Sequence, residues 1–282
     1  MPKLNVQQTN ANVIKAFQMA LENTNPNLLD NPFFQVNQRQ VANGVVINAN
    51  GYVADRWQAT GTNGATRNAD GTITIGSTIF HKFPDLGITG KTVTISVMYA
   101  DNTVESSTHL YNGTATYVLD LPSLGTSRLY TAANQINLSA PSGSSVTVKA
   151  VKLELGTVST LANDVPPDYG TELAKCQRYF QRIHIPVNHP FASGFSQNTT
   201  SIRLFMPITV TLRAKPTMAT SGTFFARGNG SDLSASSFQI NTDYNPESFA
   251  SFSCVVSGAT TFQTYILMNT GSNAYIDLSA DL

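Results

Sequence analysis

The side chains of this 282-residue chain that could do chemistry are four histidines, two cysteines, one tryptophan and 17 carboxylates. Their spacing argues against most catalysis. His81, His109, His184 and His189 form no H-E-x-x-H, and the cysteines, Cys176 and Cys254, form no C-x-x-C, so a zinc site has no support in the sequence. G-x-S-x-G and G-x-x-x-x-G-K-(S/T) are both absent, which removes the usual serine-hydrolase elbow and the phosphate-binding loop. A glycosidase needs two carboxyl groups about 5–10 Å apart. No acids here stand at alternate positions of one strand, and Asp70, Asp85, Asp101 and Asp243 fall in turn sequences. The chain is therefore expected not to be an enzyme. N-A-D-G-T (68–72) resembles half of a calcium loop, but its twelfth position is Ile79, so a hairpin turn is the better reading. No cofactor is expected; a structural calcium ion is left open, with no residue to place it.

Binding chemistry is better represented. Trp57 follows Asp55 and Arg56, and an indole face stacks well on a sugar ring. A lone tryptophan opening a strand more often fills a core, with Arg56 snorkelling or paired to Asp55, and that reading is preferred. Loops offer aromatics beside amides and acids, the usual chemistry of sugar recognition. In the first half these are Tyr111 with N-G, and S-R-L-Y with Arg128 and Tyr130. In the second half they are 191–198 with Phe191 and Phe195, 224–232 with Arg227 and Asp232, and 241–247 with Asp243 and Tyr244.

Elements that must position these groups are mostly strands. Charged residues make up only 12% of the chain, against about a quarter in ordinary globular proteins, and the 17 basic and 17 acidic residues cancel. With no basic stripe, nucleic acid is excluded as a partner, and no apolar run approaches the roughly 20 residues of a membrane span. Val13, Ile14, Phe17, Ala20 and Leu21 fall at helical spacing and predict an N-terminal helix. A helix that short is marginal alone in water and needs a partner surface, either its own domain or, the reading preferred for residues 1–26, an attachment or oligomerisation contact. Alternating runs at 72–75, 79–83, 92–99, 116–121, 135–138 and 145–155 predict a first β-domain over 27–156, with 92–99 and 145–155 as its long central strands. Residues 157–176 hold Pro166 and Pro167 and read as a stiff linker with one helical turn at T-E-L-A-K-C. Runs at 178–183, 201–212, 236–242, 251–256, 262–268 and 274–278 predict a second β-domain, a sandwich over 177–282, in which Pro207 marks an edge strand or bulge. The stretch M-P-K-L-N-V-Q-Q-T does not read as a secretory leader, and both cysteines are expected as buried thiols of a cytosolic product.

Several stretches carry a resemblance. N-L-L-D-N-P-F-F (27–34), N-Q-R (37–39) and Y-V-A-D-R-W (52–57) resemble the opening of a carbohydrate-binding-module-like jelly roll found in bacteriophage tail-fibre and appendage proteins. L-E-L-G (153–156), the proline spacer and L-A-K-C-Q-R-Y-F (173–180) are similar to the junction that follows it in those proteins, and S-A-D-L closes the chain as theirs often does. Gln40 stands where N-Q-R-G is commoner. The resemblance implies an all-β protein with a helical attachment segment, a jelly roll and a second antiparallel β-domain. It implies a virion fibre subunit assembled in the bacterial cytoplasm as a homotrimer, docked on other virion proteins through its N-terminal segment and contacting host cell-surface polysaccharide. A structural head-fibre, decoration or connector protein is the alternative. Arg39, Asp55, Arg56, Trp57, Cys176, Gln177, Arg178 and Tyr179 would then be scaffold rather than specificity.

Overall fold

Alternation of polar and apolar residues every second position dictates strands with one face in a core, and antiparallel strands fill the structure. The structure, a computed structural model, describes residues 25–228, 230–241, 249–271 and 274–281. The expected N-terminal helix falls within residues 1–24, outside the described residues. The chain divides into two compact units, Met1–Glu172 and Leu173–Leu282.

Among the described residues, twelve strands build the first unit: β1 Val46–Ile47, β2 Gly51–Ala54, β3 Trp57–Thr60, β4 Ala65–Arg67, β5 Ile73–Ile75, β6 Thr78–Lys82, β7 Lys91–Tyr99, β8 Val104–Tyr111, β9 Thr116–Val118, β10 Arg128–Tyr130, β11 Gln135–Ser139 and β12 Val146–Leu155. They form a jelly-roll sandwich of two antiparallel sheets, one ordered β1-β4-β5-β12-β7-β8 and the other β2-β3-β6-β11-β10-β9. The two long runs, β7 and β12, pair with each other at the centre of the first sheet, as their length and β-branched content lead one to expect. Val93, Ile95, Val97, Val151 and Leu153 from that pair meet Trp57, Ile79, Leu129, Ile136 and Leu138 of the other sheet in one buried cluster. At the corner before β4, a β-carbon on Gly64 would sit 1.8 Å from the Ile47 carbonyl oxygen, so only glycine lets the chain turn there.

A bulge between Val148 and Ala150 shifts β12 by one residue, so that Ala150, Lys152 and Glu154 point to the outer face of their sheet. That face is covered. Residues 157–164, expected as extended linker, fold back over it through a short 3-10 helix, Leu161–Asn163. Leu161 packs with Phe33, Met98 and Ala150, and Ser159 accepts a hydrogen bond from Ser96 at 2.7 Å. Beneath this cover Lys152 and Glu154 are both 0% exposed. The Lys152 ammonium donates to Thr160 Oγ1 at 2.7 Å and to Asp164 at 2.8 Å. The Glu154 carboxylate accepts the Thr160 N–H at 2.9 Å and hydroxyl at 2.6 Å. The junction helix is also longer than one turn: α1 runs Tyr169–Gln177, capped by Asp168, whose Oδ1 accepts the Thr171 N–H at 2.9 Å.

The second unit, expected as a sandwich, contains instead a closed six-stranded barrel and a small sheet. Its strands are β13 Phe180–Ile185, β14 Pro190–Asn198, β15 Ser201–Pro207, β16 Thr217–Ser221, β17 Phe224–Gly228, β18 Ser231–Ile240, β19 Phe249–Val255, β20 Thr264–Asn269 and β21 Ala274–Ser279. The barrel is ordered β14-β15-β19-β18-β17-β20, with β20 returning to β14, while β13, β21 and β16 make the three-stranded sheet. Ile202, Leu204, Phe252, Cys254, Ala226, Tyr265 and Leu267 fill the second unit's core. Closure requires glycine at residue 194, where a β-carbon would lie 1.8 Å from the Arg203 carbonyl oxygen. Pro207 is not on an edge; it ends β15, pairing with Phe249, where the ladder can do without its missing N–H.

Truncating Lys152 to alanine strands a buried carboxylate and is expected to destabilise the first unit by about 3–5 kcal/mol in denaturant unfolding. The pair Lys152→Met with Glu154→Gln, which removes both charges and keeps an acceptor for Thr160, should recover at least half of that loss.

Candidate functional site

The D-R-W motif settles into the core. Trp57 is 0% exposed, with Phe34 at 5.2 Å and His81 at 4.8 Å between ring centroids, both edge-on, and its indole N–H donates to the Asn31 carbonyl at 2.9 Å. Asn31, in the left-handed region at φ 53°, donates to the Val36 and Asp55 carbonyls and accepts the Val36 N–H. Its own N–H donates to the Glu172 carboxylate at 2.8 Å. Asp55, 1% exposed, accepts the Gln38 side-chain amide at 2.6 Å and lies 3.4 Å from Arg39, whose guanidinium covers the Tyr52 ring at 3.6 Å. Arg56 makes the tight β2–β3 turn at φ 71° and donates to the Lys82 carbonyl. Asp55, Arg56 and Trp57 are buried and Arg39 half-buried, each held by partners within the fold. Gln40 holds φ 53°, the conformation in which glycine carries no steric penalty, which gives the commoner N-Q-R-G its physical reason.

His81, 0% exposed, has Nε2 placed 3.1 Å from the Asp30 carbonyl, and burial, with the nearby Arg56 charge, holds its pKa well below the ordinary value. The imidazole is neutral and packed, a stabilising element with no access to a substrate.

Outside the core, the same alternation that buries Leu129, Ile136, Leu138 and Ile79 aims their neighbours at the opposite face of the second sheet. Cross-strand register aligns them in rows. Val118 pairs with Arg128, Arg128 with Asn137, Asn137 with Phe80, Phe80 with Gln58 and Gln58 with Tyr52. A second row runs Thr116, Tyr130, Gln135, Lys82. At about 4.8 Å between strands, five spacings span about 24 Å, the length of an oligosaccharide rather than of one ring. The amides are held in place: Gln135 Nε2 donates to Asn137 Oδ1 at 2.5 Å, Gln58 Nε2 to the Asn50 carbonyl at 2.9 Å, and the Thr78 and Ser139 hydroxyls bond at 2.9 Å. Arg128 and Val118 are exposed and Tyr130 half-buried. Such a face can lay an aromatic ring under a sugar and give its hydroxyls amide and guanidinium partners. Sequence reasoning named Arg128 and Tyr130 and missed Gln58, Gln135 and Asn137. The polar positions of β3 and β11 were the available signal.

The other candidates lie elsewhere. Tyr111 is core, 3% exposed, with its hydroxyl donating to the Thr131 carbonyl at 2.8 Å and to Asn134. The 191–198 and 224–232 segments, read as loops, are strand β14 and the β17–β18 hairpin, because barrel closure recruits them. Phe191 packs on Phe224 at 5.7 Å, and Phe195 is 40% exposed on β14. Arg227 and Asp232 face each other across the hairpin in a two-pronged pair at 2.7 and 2.8 Å, so they serve the turn. Asp243 and Tyr244 lie outside the described residues. Cys176 is buried and outside any disulfide; the Gln177 carbonyl accepts the Gln181 amide at 3.1 Å, the exposed Arg178 carbonyl accepts the Arg213 N–H at 2.8 Å, and the Tyr179 carbonyl accepts the Ala280 N–H at 2.6 Å. C-Q-R-Y therefore ties the start of the second unit to its last strand. Burial pushes the Cys254 thiol up to about 11, leaving it inert.

Acid–base chemistry finds little support. A general acid needs a raised pKa, yet Asp70, Asp101, Asp168 and Asp232 are all lowered by hydrogen bonds from Thr72, Thr103, Thr171 and Arg227 respectively. Burial pushes Glu105 up, but hydrogen bonds from Ser123 and Tyr99 outweigh it and the net shift is down. The Ser107 hydroxyl lies 2.8 Å from His109 Nε2, but Ser107 is 6% exposed and its oxygen already accepts the Asp120 N–H. His109 stacks on Tyr117 at 4.9 Å. Among the described residues no group of three or more His, Cys, Asp or Glu is placed to hold a metal, and no helix is long and apolar enough to cross a membrane.

Because the folded pKa of His81 lies below the ordinary 6.5, the unfolded chain takes up the extra proton, so stability falls as pH drops below about 6.5. Thermal melts between pH 6.5 and 5 should show a loss approaching 1.4 kcal/mol per pH unit for this residue, and His81→Leu should flatten the slope while His109 retains a smaller share.

No protein-family model matches this chain and no curated protein matches it, so the fold and the residues it assembles carry the functional reading.

Proposed function

We propose that this chain is a non-catalytic subunit of a bacteriophage virion fibre or appendage that binds host cell-surface polysaccharide. The observation that carries the reading is the outer face of the second jelly-roll sheet, where Arg128, Tyr130, Gln135, Asn137 and Gln58 stand in register across neighbouring strands. Each hydrogen bond from such a face to a hydroxyl contributes little on its own. A homotrimer would present three faces, and avidity would make a shallow, weak site sufficient. In this reading the N-terminal segment docks on other virion proteins, and assembly takes place in the bacterial cytoplasm. The downward shift of the carboxylates that shift supports a role without hydrolysis.

A structural connector is the second reading, and one observation favours it. A shallow groove of about 240 Å³ on the barrel is walled by Pro190, Phe191, Phe205, Pro207 and Ile266, an apolar surface suited to protein rather than to sugar.

Binding of the assembled full-length protein to host polysaccharide is the test, alongside Arg128→Ala and Tyr130→Ala. Each variant should keep its melting temperature and lose about tenfold or more in apparent affinity, about 1.4 kcal/mol. Unchanged binding in both variants would remove the face from the mechanism. No binding by a confirmed oligomer would favour the connector.

A further inference from the structure

The segment that covers the first jelly-roll sheet brings a second carboxylate to Lys152. Asp164 follows the 3-10 helix, its N–H bonded to the Leu161 carbonyl at 3.1 Å, and its side chain is 22% exposed. The Lys152 Nζ lies 2.8 Å from each Asp164 oxygen. A nitrogen equidistant from both oxygens is about 3 Å from the carbon between them, inside the range of about 3–3.5 Å from which bonds form. The third group is Glu154, 0% exposed, with Oε2 at 3.6 Å from the same nitrogen. The Thr160 hydroxyl joins them: it accepts from Nζ at 2.7 Å and donates to Glu154 Oε2 at 2.6 Å. A proton has a continuous hydrogen-bonded path from the lysine to the glutamate.

A simple ion pair does not need this arrangement. Arg182 with Asp277 and Arg227 with Asp232 answer charge with charge and stop there, because a guanidinium keeps its proton. A lysine that gives up its extra proton is a nucleophile. Here an amine, a carboxyl carbon and a base at the end of a hydroxyl relay are held together under a cover, which are the parts of an amide condensation. Two effects favour the bond. Holding both reactants in one fold gives effective concentrations on the order of 10⁵ M or more. The product amide is uncharged, so it relieves the desolvation penalty that a buried ion pair carries.

We propose that Lys152 and Asp164 condense spontaneously into an intramolecular isopeptide bond, with Glu154 as the base. One ammonium proton passes to an Asp164 oxygen across their 2.8 Å contact. The nitrogen lone pair then forms the bond to Cγ, and a second proton passes through the Thr160 hydroxyl to Glu154. The C–O bond to the protonated oxygen breaks, the oxygen keeps the electron pair, and Glu154 returns its proton to it. One water leaves by the exposed side of Asp164. Nζ keeps one hydrogen as the amide N–H, Glu154 ends as it began, and nothing is oxidised or reduced. The bond fastens residues 157–164 to β12. It does not rest on the polysaccharide reading, since none of these groups belongs to the second sheet.

The test is a tryptic digest of the folded full-length protein, denatured and read by mass spectrometry. Between Ala150 and Lys175 the only internal tryptic site is Lys152. An amide on Nζ removes the charge that trypsin recognises, so 150–175 should appear as one peptide, one water lighter than its sequence. Lys152→Arg should give 150–152 and 153–175 at full mass, and Asp164→Ala should do the same. Asp164→Asn should form the same bond with loss of ammonia in place of water, which separates condensation from dehydration of Asp164 alone. Glu154→Gln should slow formation about a hundredfold or more. Melting of each variant reports its folding, and the native digest decides even where a variant fails to fold. Lys152→Ala and the Lys152→Met, Glu154→Gln pair both lack the amine, so comparing those two reads the buried charges alone. The proposal is overturned if the folded native chain, after prolonged incubation, gives the two separate peptides at full mass. It is equally overturned if the joined peptide survives in Asp164→Ala, or forms as fast in Glu154→Gln.

Discussion

A lysine and a glutamate taken wholly out of water constrain much of the first unit. Lys152 and Glu154 lie on the outer face of the first jelly-roll sheet, and burying either alone would cost several kcal/mol. The structure meets that cost by bringing partners to them: the Thr160 N–H and hydroxyl reach Glu154, and Asp164 and Thr160 reach Lys152. For this to happen the chain after Gly156 must fold back over the sheet rather than lead away from it. Leu161 follows into the small cluster with Phe33, Met98 and Ala150. Local sequence reads this segment as linker; the buried charges make it part of the sandwich.

That cover distinguishes the two faces of the jelly roll. The outer face of the first sheet carries Thr94, Ser96, Lys152 and Glu154, each 0% exposed, and its polar groups are consumed within the fold. On the second sheet the polar groups at Arg128, Gln135 and Asn137 remain exposed or half-buried. Side-chain chemistry is similar on both faces. What separates scaffold from candidate binding surface is whether the hydrogen-bonding capacity has already been used.

The same accounting orders the rest of the molecule. Asn31 satisfies the backbone around Val36 and Asp55, and its carbonyl anchors the indole of Trp57, so one short amide sets the opening of the jelly roll. Arg227 and Asp232 neutralise each other across a hairpin. Arg182 and Asp277 do the same between β13 and β21 at 2.7–2.8 Å.

Much of the fold was legible in the sequence because it rests on local properties. The period-two runs at 92–99 and 145–155 became the paired central strands, N-A-D-G became a hairpin, and Trp57 filled the core as its isolation and its place in a strand suggested. Strands β14 and β17 were not legible, since S-G-F-S and A-R-G carry turn chemistry and become strands only because ring closure supplies neighbours on both sides. Tyr111 looked like a loop aromatic because Asn-Gly follows it, yet its hydroxyl finds two acceptors some 20 residues away. The sequence by itself determined composition, strand periodicity and therefore the all-β class, since these depend on residues within a few positions of one another. Tertiary structure alone decided which face is covered and which polar residues stand in one row. Each of these depends on register between strands far apart in the chain, and no local pattern encodes it.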